Sequence, residues 1–251
     1  MQSLTFSEAN AKIRALQTVP SLQPYLEKKR KVYSFDLLSG WSCPAANDCL
    51  AKVILTNGKR SVQDGDENKY RCFSASQEAQ YTSTYMMRKR NFDTLRQLSS
   101  SEMIDTIGAA LPPNAGIIRA HVAGDFFNPA YFDAWCQLAR LHPDRLIYAY
   151  TKSLPYWIAK RSQLPENLIL TASYGGRHDS LIRSARLRSV RVVFTPSQAG
   201  RLEIDHDDSH AADPTRRRQS FALLLHGVQP KGTQAAAAVK ALNGLGSYHR
   251  N

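Results

Sequence analysis

The sequence has only four cysteines in 251 residues, and it lacks three motifs that mark common enzyme classes. Neither G-x-x-x-x-G-K-[ST] nor G-x-G-x-x-G occurs, so no glycine-rich loop for nucleotide phosphates is indicated. The G-x-S-x-G turn, which presents a nucleophilic serine in α/β-hydrolases, is missing as well. ATPase, dinucleotide-dependent dehydrogenase and α/β-hydrolase functions are therefore set aside.

Long apolar runs are also missing from the chain. No stretch approaches the roughly 18 consecutive apolar residues that a membrane-spanning helix needs. The opening segment, MQSLTFSEANAKIRAL, lacks the apolar core and the cleavage-site pattern of a signal peptide. Hydrophobic residues make up 43% of the chain, which is enough for a proper core. We therefore expect a soluble, globular, cytoplasmic protein with no membrane partner.

Acidic residues are scarce relative to basic ones. The 21 Asp and Glu residues face 33 Lys and Arg residues, so the formal net charge is +12. An excess of this size favours a polyanionic partner such as nucleic acid, although a basic protein without such a partner is an equal alternative. Tyr81, Tyr85 and Phe92 surround one basic run at helical spacing, either to stack on bases or as the core face of a helix. The candidate nucleic-acid contacts are Arg88, Lys89, Arg90, Arg216, Arg217 and Arg218.

The few cysteines are concentrated near the front of the chain. Cys43 and Cys49 lie in WSCPAANDCLAK with five residues between them, and Cys72 follows after another 22 residues. In a reducing cytosol such a group is more often metal-binding or catalytic than disulfide-bonded. Three thiolates suit an iron–sulfur cluster with one open iron, or a zinc ion completed by a histidine or carboxylate. Three unligated thiols are the alternative. Cys136, in YFDAWCQLARL, fits the apolar side of a helix and is expected in the core.

A second group of potential metal ligands occurs in DHDDSH, at residues 205–210. His206 and His210 are four residues apart and would share one face of a helix. On a loop, Asp205, Asp207 and His210 would still be able to converge on one cation. The segment therefore indicates a possible second metal site, and a solvated acidic turn is the alternative.

The second half of the chain alternates apolar runs with helical patterns. Strands are expected to begin near residues 117, 146, 168, 190 and 221, and Asn128 with Pro129 predicts the start of the first intervening helix. Nearly continuous apolar runs are typical of parallel strands buried on both faces. The sequence predicts an α/β fold, a parallel (βα) barrel or partial barrel. Residues 1–251 are expected to form one domain, with a cysteine-bearing segment at 1–114 and the βα-repeat core at 115–251.

The first half is less regular. A short helix is expected at residues 7–17, and TNGKRSVQDGDENK is expected to form a loop or hairpin. SASQEAQYTSTYMMRKRNFDTLRQL and SSEMIDTIGAAL have helical patterns, the second with Ser101 as its N-cap.

Polar side chains follow several of the predicted strands. Asp125 ends the first as Gly-Asp, and Lys152 ends the second as Thr-Lys-Ser. Because consecutive parallel strands usually lie side by side, we expect the two side chains to meet at the mouth of the sheet. They are candidates for acid/base catalysis or for holding an anionic substrate. A helix-capping Asp and a solvated Lys are the alternative.

Six segments together resemble a phage-encoded family of gene-product-88-like proteins, whose function is largely unassigned: CPAANDC, GDFFNPAYFDAW, YAYTKS, ASYGG, IDHDDSHA and LLHGVQPKGTQAA with VKALNGLGSY. That family in turn resembles radical SAM proteins, in which three cysteines ahead of a (βα) barrel hold a [4Fe–4S] cluster and the fourth iron binds S-adenosylmethionine. The resemblance implies that Cys43, Cys49 and Cys72 hold such a cluster, and a phage protein would act in the host cytoplasm. The cysteine spacing differs from the common C-x3-C-x2-C pattern, and AGDFF is a remote counterpart of the SAM-binding GGEP segment.

Three hypotheses follow for the function. The leading one is a radical-SAM-like iron–sulfur protein that binds or acts on nucleic acid, with S-adenosylmethionine as a possible further cofactor. The second is a non-catalytic nucleic-acid-binding protein stabilised by zinc. The third is a metal-dependent nuclease that uses the Asp/His cluster. The sequence leaves open whether the protein is an enzyme.

Overall fold

The computed structural model describes residues 3–244, and nine strands lie within them. They are β1 (Phe6–Glu8), β2 (Lys31–Phe35), β3 (Ala51–Thr56), β4 (Lys59–Asp64), β5 (Ala115–Ala120), β6 (Leu146–Thr151), β7 (Leu168–Ser173), β8 (Ser189–Val193) and β9 (Phe221–Leu224). Seven of them form one sheet in the order β1-β2-β5-β6-β7-β8-β9. Only the β1–β2 pair is antiparallel, and the other six strands run parallel in the order of the chain.

The fold is therefore mixed α/β with a mostly parallel sheet, as the sequence predicts. The strands expected from the apolar runs near residues 117, 146, 168, 190 and 221 are all present, as β5 to β9. Among the described residues β1 and β9 stand at opposite ends of the strand order, so the pairing does not close the sheet into a complete barrel.

Ten α-helices accompany the strands in residues 3–244. They are α1 (Ala11–Arg14), α2 (Gln23–Leu26), α3 (Phe73–Gln80), α4 (Thr82–Leu95), α5 (Ser100–Ala110), α6 (Pro129–Leu141), α7 (Leu154–Ala159), α8 (Ser180–Ser184), α9 (Ser209–Ala212) and α10 (Gln234–Gly244). Asn128 caps α6 by accepting the N–H of Tyr131, and Pro129 is the first helical residue, as expected. The pattern of TQAAAAVKALNGL predicts a C-terminal helix, which is present as α10, and its last predicted residue, Leu245, lies outside the described residues. Within the described range, none of the helices combines the length and the apolar character needed to cross a membrane.

The sheet separates two apolar layers. Ile118 and Ile147 point to the layer that contains side chains of α4 to α8, whereas their neighbours Ile117 and Leu146 point to the opposite layer. This alternation follows from the period of two along a strand. Cys136 is only 1% exposed and belongs to the helical layer, which confirms its assignment to the core. The four crossover helices α5 to α8 thus contribute to the same face of the sheet.

The N-terminal segment differs from the predicted helix at residues 7–17. Phe6–Glu8 instead forms β1, which pairs antiparallel with β2, and only a short helix and a 3₁₀ turn follow. Pairing along the edge of the sheet satisfies backbone groups that the helix would otherwise have satisfied. Asn10 caps α1 by accepting the N–H of Ile13, whose side chain is buried against the sheet.

Two further helix boundaries differ from the prediction. The N-cap of α5 is Ser99 and not Ser101, because Ser99 forms a capping box with Glu102 three residues later. The long helical pattern after Cys72 is interrupted at Tyr81, whose backbone is extended, so α3 and α4 are separate helices. This break allows Arg88 of α4 to form an ion pair with Glu78 of α3.

The polar segment after Cys49 forms a hairpin. β3 and β4 pair antiparallel over six residues each, apart from the main sheet. Asn57 and Gly58 connect them with φ angles of 52° and 74°, the left-handed backbone that a two-residue hairpin turn requires. The hairpin therefore returns the chain to the place where it left the cysteine segment.

Candidate functional site

A cavity of about 1070 Å³ opens at the carboxyl ends of the parallel strands. Active sites of parallel α/β sheets lie at this edge, because the loops after each strand converge there. The lining comes from the region of α1, from the cysteine segments, from residues at or near the ends of β5 to β9, and from two later loops. Its polar and cysteine side chains include Lys12, Cys43, Cys49, Cys72, Arg119, His121, Asp125, Tyr150, Lys152, Ser173, His206, Asp207, Asp208 and His226.

Cys43, Cys49 and Cys72 all line this cavity as free, half-buried thiols. The hairpin explains how Cys72, separated from Cys49 by 22 residues, joins the other two cysteines. The N–H groups of Lys69 and Tyr70 both donate to the carbonyl of Asp48, at 2.8 and 3.1 Å, directly beside Cys49. The chain then reaches Cys72, which is the N-cap residue of α3. Thus two separate segments deliver three thiols to one space.

The thiols influence one another electrostatically. Burial raises the pKa of Cys43 well above its usual value, and the charges of Asp125 and of the other two cysteines raise it further. Burial also raises the pKa of Cys72 to about 11, with Cys49 adding to the shift. The pKa of Cys49 is raised by burial as well, although the ammonium of Lys152 opposes the change. Thiols that oppose each other's ionisation in this way form a site that a bound cationic centre would stabilise as thiolates.

No three His, Cys, Asp or Glu side chains in residues 3–244 are placed so that they hold a single metal ion. The three thiols therefore share a cavity without converging on one point. That these thiols bind a metal centre stays a prediction.

Asp125 and Lys152 are neighbours, but their side chains do not form the pair that strand order suggested. Oδ2 of Asp125 accepts the backbone N–H of Lys152 at 2.8 Å, and Oδ1 accepts the hydroxyl of Thr151 at 2.7 Å. The Lys152 ammonium instead donates to Ser173 Oγ at 2.6 Å and to the carbonyl of Tyr174 at 2.8 Å. The alternative is also wrong, because Asn128 caps α6 and Lys152 is only 8% exposed.

The residues proposed for a second metal site are divided between two places. His206 and Asp207 line the large cavity. His210 instead contacts Asp205, with 3.6 Å between Nδ1 and Oδ1, and its Nε2 lies 2.6 Å from a Glu203 oxygen. The reason is the backbone of Asp208, whose φ of 66° turns the chain just before the short α9. No three of the four predicted ligands are placed to share an ion.

One residue of the predicted basic surface is buried in the structure. Arg88 is only 3% exposed, because it pairs with Glu78 and lies 3.7 Å from Asp36 in the core. It does not lie on a surface that nucleic acid would contact. The aromatic side chains proposed to stack on bases are divided likewise, since Tyr85 and Phe92 are buried and Tyr81 is exposed.

The other basic candidates lie nearer the surface, with protein partners for most. Lys89 pairs with Asp93, and Arg90 donates to Thr5 Oγ1 at 2.9 Å. In the run of residues 216–218, Arg216 forms an ion pair with Glu203, and Arg217 donates a hydrogen bond to the carbonyl of Glu166. Arg218 is exposed.

Sequence reasoning missed a buried charged group on the cavity wall. Arg119 of β5 pairs with Asp208, and the hydroxyls of Tyr148 and Tyr150 donate to the same carboxylate at 3.0 and 3.3 Å. An arginine inside the apolar run GIIRAHVAG is the feature that would have indicated it, because a buried charge requires a partner.

Comparison with known proteins gives two matches. The family model described as "Gene product 88" matches residues 3–243. The Gene 88 protein of Mycobacterium phage L5 is 28% identical over 158 residues, which cover 62% of this chain and 61% of the phage protein. No solved structure matches. Because the family model covers nearly the whole sequence, the chain belongs to the gene product 88 family.

Proposed function

We propose that the protein is a radical-SAM-like iron–sulfur protein whose [4Fe–4S] cluster is held by Cys43, Cys49 and Cys72. The observation that carries this proposal is the arrival of three free thiols, from two separate segments, in one cavity at the carboxyl ends of parallel strands. Each cysteine of such a cluster binds a different iron, so the thiols need a shared space and not a common point.

The architecture supports the same proposal. Six parallel strands follow one another in chain order without the reversal that a doubly wound sheet contains. The crossover helices α5 to α8 contribute to one face, and the cavity-lining Arg119 and Tyr150 belong to strands of the same sheet. This arrangement favours a partial (βα) barrel, with the cysteine segments at its mouth.

The residues present fit a cluster in their chemistry. A cluster held by three cysteines has one open iron, and it would supply one-electron chemistry to a ligand such as S-adenosylmethionine. Lys152 lowers the pKa of Cys49 against the effect of burial, so its ammonium favours the thiolate that iron requires. Asp125 holds the backbone at Lys152 and thereby fixes this strand end beside the cysteines.

The test is anaerobic purification or reconstitution, followed by iron, sulfide and zinc analysis and a visible spectrum. The wild type should be brown and contain about four iron and four sulfide per chain. Cys43→Ala, Cys49→Ala and Cys72→Ala should each lose iron, whereas Cys136→Ala, the matched control in the core, should retain it. One zinc per chain with no colour would support the structural zinc alternative. A colourless protein that cuts DNA only with Mg²⁺ or Mn²⁺ would support the nuclease.

We also propose nucleic acid as the partner on which this protein acts or to which it binds. The support is the net charge of +12 together with the basic run at Arg216, Arg217 and Arg218. Affinity for DNA or RNA should fall steeply with salt, and replacing these three arginines by alanine should reduce the slope. Binding that does not vary with salt would contradict the proposal.

A further inference from the structure

The cavity has a second chemically distinct end, formed by Lys12, Arg119, Tyr150 and Asp208, which we call the arginine end. The whole cavity, at about 1070 Å³, is larger than the roughly 300–1,000 Å³ of typical pockets for a single small molecule. A group bound at the cysteines would therefore leave space for a further ligand.

Arg119 is fixed in place on three sides. Its Nε–H donates to the carbonyl of His121 at 3.3 Å, and NH1 donates to the carboxylate of Asp208. Its guanidinium lies over the ring of Tyr150, 5.0 Å from the centroid. A guanidinium has five N–H donors, and these two bonds use only two of them. Because the side chain lines the cavity, the remaining donors are available to a ligand there.

Both residues that hold Arg119 have uncommon backbone conformations. His121 has a φ of 89° and Asp208 a φ of 66°, values that residues with a Cβ atom rarely adopt. Such conformations persist where the surrounding structure imposes them, and they concentrate at functional sites. Here one positions a carbonyl and the other a carboxylate against the same guanidinium. The result is an arginine oriented before any ligand arrives.

Two cations share one buried carboxylate at the arginine end. Arg119 and Lys12 are both paired with Asp208, a single carboxylate that is 1% exposed. Burial and the nearby cations lower the pKa of His121 to about 3 and that of His226 to about 4, so these two histidines are neutral at neutral pH. Asp207 also lines the cavity, and its Oδ1 accepts the backbone N–H of Ser209 at 3.0 Å.

We propose that Arg119 is a binding residue for the oxyanion of a small-molecule ligand, a carboxylate or a phosphate, at the arginine end. The planar fork of an arginine suits both groups, since each presents two oxygens to two parallel N–H donors. This site does not include the cysteines, so the proposal can be tested independently of the proposed cluster.

The test is calorimetric titration of the purified full-length protein with inorganic phosphate and, separately, with succinate. Wild type should bind at least one of the two anions with one-to-one stoichiometry. Arg119→Lys keeps the charge beside Asp208 but lacks the fork, so affinity should fall by about tenfold or more. The matched control is Arg191→Lys, because Arg191 stacks on Tyr174 at 5.1 Å and does not line the cavity. Its affinity should equal that of wild type.

A second measurement avoids any effect of the substitution on folding. Phenylglyoxal modifies arginines, and mass spectrometry of the wild type reports each site separately. The anion that binds should slow modification of Arg119 and leave that of Arg191 unchanged. Absence of one-to-one binding by both anions, equal affinity in Arg119→Lys, or no protection of Arg119 would overturn the proposal.

Discussion

Replacing Glu78 by alanine would remove the carboxylate that connects the two cysteine-bearing segments. Glu78 is fully buried in α3, the helix that begins after Cys72. It accepts the backbone N–H of Ser39 at 3.0 Å and the Ser39 hydroxyl at 2.7 Å, four residues before Cys43. It also accepts Arg88 NH1 at 3.2 Å. One side chain therefore joins the segment before Cys43, α3 and α4.

The magnitude follows from what the substitution leaves behind. Arg88 would stay buried with only Asp36, 3.7 Å away, as a compensating charge. Removing one partner of a buried ion pair costs about 3–5 kcal/mol, since the other charge remains desolvated. The orphaned N–H of Ser39 adds to this cost, although such contributions are not additive. We expect Glu78→Ala to reduce the free energy of unfolding by about 3–5 kcal/mol.

Urea unfolding of metal-free protein, followed by circular dichroism, measures this change from the midpoint at constant slope. Glu8→Ala is the matched control, because the 2.8 Å Glu8–Lys31 pair is exposed on both sides and should contribute nothing measurable. A loss of less than about 1 kcal/mol in Glu78→Ala would refute the buried ion pair as a structural link. So would equal losses in the two variants.

Three further predictions concern the wall of the cavity. Asp125→Asn should destabilise the fold by about 1–3 kcal/mol in thermal melts. Both oxygens of Asp125 accept backbone N–H groups, Oδ1 from Phe126 and Oδ2 from Lys152, and the side-chain NH2 group of asparagine cannot accept either one. Lys152→Met should preserve the bond to Oδ2, and unchanged melting of Asp125→Asn would contradict this account. Burial alone would raise the pKa of Asp208, but Arg119 and other donors outweigh burial and lower it. The ionised carboxylate therefore stabilises the fold above its usual pKa of 3.8, and this stabilisation is lost as the pH falls through the pKa of the folded state. The free energies of unfolding of wild type and Asp208→Asn should differ at neutral pH and converge in acid. Gly124→Ala should lower the melting temperature, since φ is 93° and a Cβ atom would lie 2.6 Å from Ser42 Oγ; an unchanged melting temperature would refute it.

The strands of the second half could be predicted because burial on both faces leaves a direct mark on the sequence. Runs such as LIYAYT and LILTAS are apolar at most positions, and their observed bounds agree with the expected starts. The sequences of β1 and β2 contain no comparable apolar run. β1 is three residues long with partly exposed side chains, and its existence depends on pairing with a strand more than twenty residues away. Local propensity does not contain that information.

The candidate site was predictable in its residue types more than in its contacts. Asp125 and Lys152 do adjoin, as consecutive parallel strands require. The partners of each side chain, however, depend on which backbone N–H and which hydroxyl lie nearest, and strand order does not specify these. Arg88 shows the same limit. Its position in a basic run indicated the surface, whereas the break between α3 and α4 placed it against Glu78 in the core.

The spacing of the cysteines illustrates why sequence separation is a poor guide to distance. The 22 residues between Cys49 and Cys72 contain β3, β4 and their two-residue turn, so the chain reverses direction and returns antiparallel to its outward strand. At the open end of this hairpin, the backbone N–H groups of Gly65 and Lys69 donate to the carbonyls of Leu50 and Asp48. A longer or shorter hairpin of matched strands would change the spacing and leave both thiols in the cavity. The interval between Cys49 and Cys72 therefore reports the length of the hairpin and not the separation of the sulfurs.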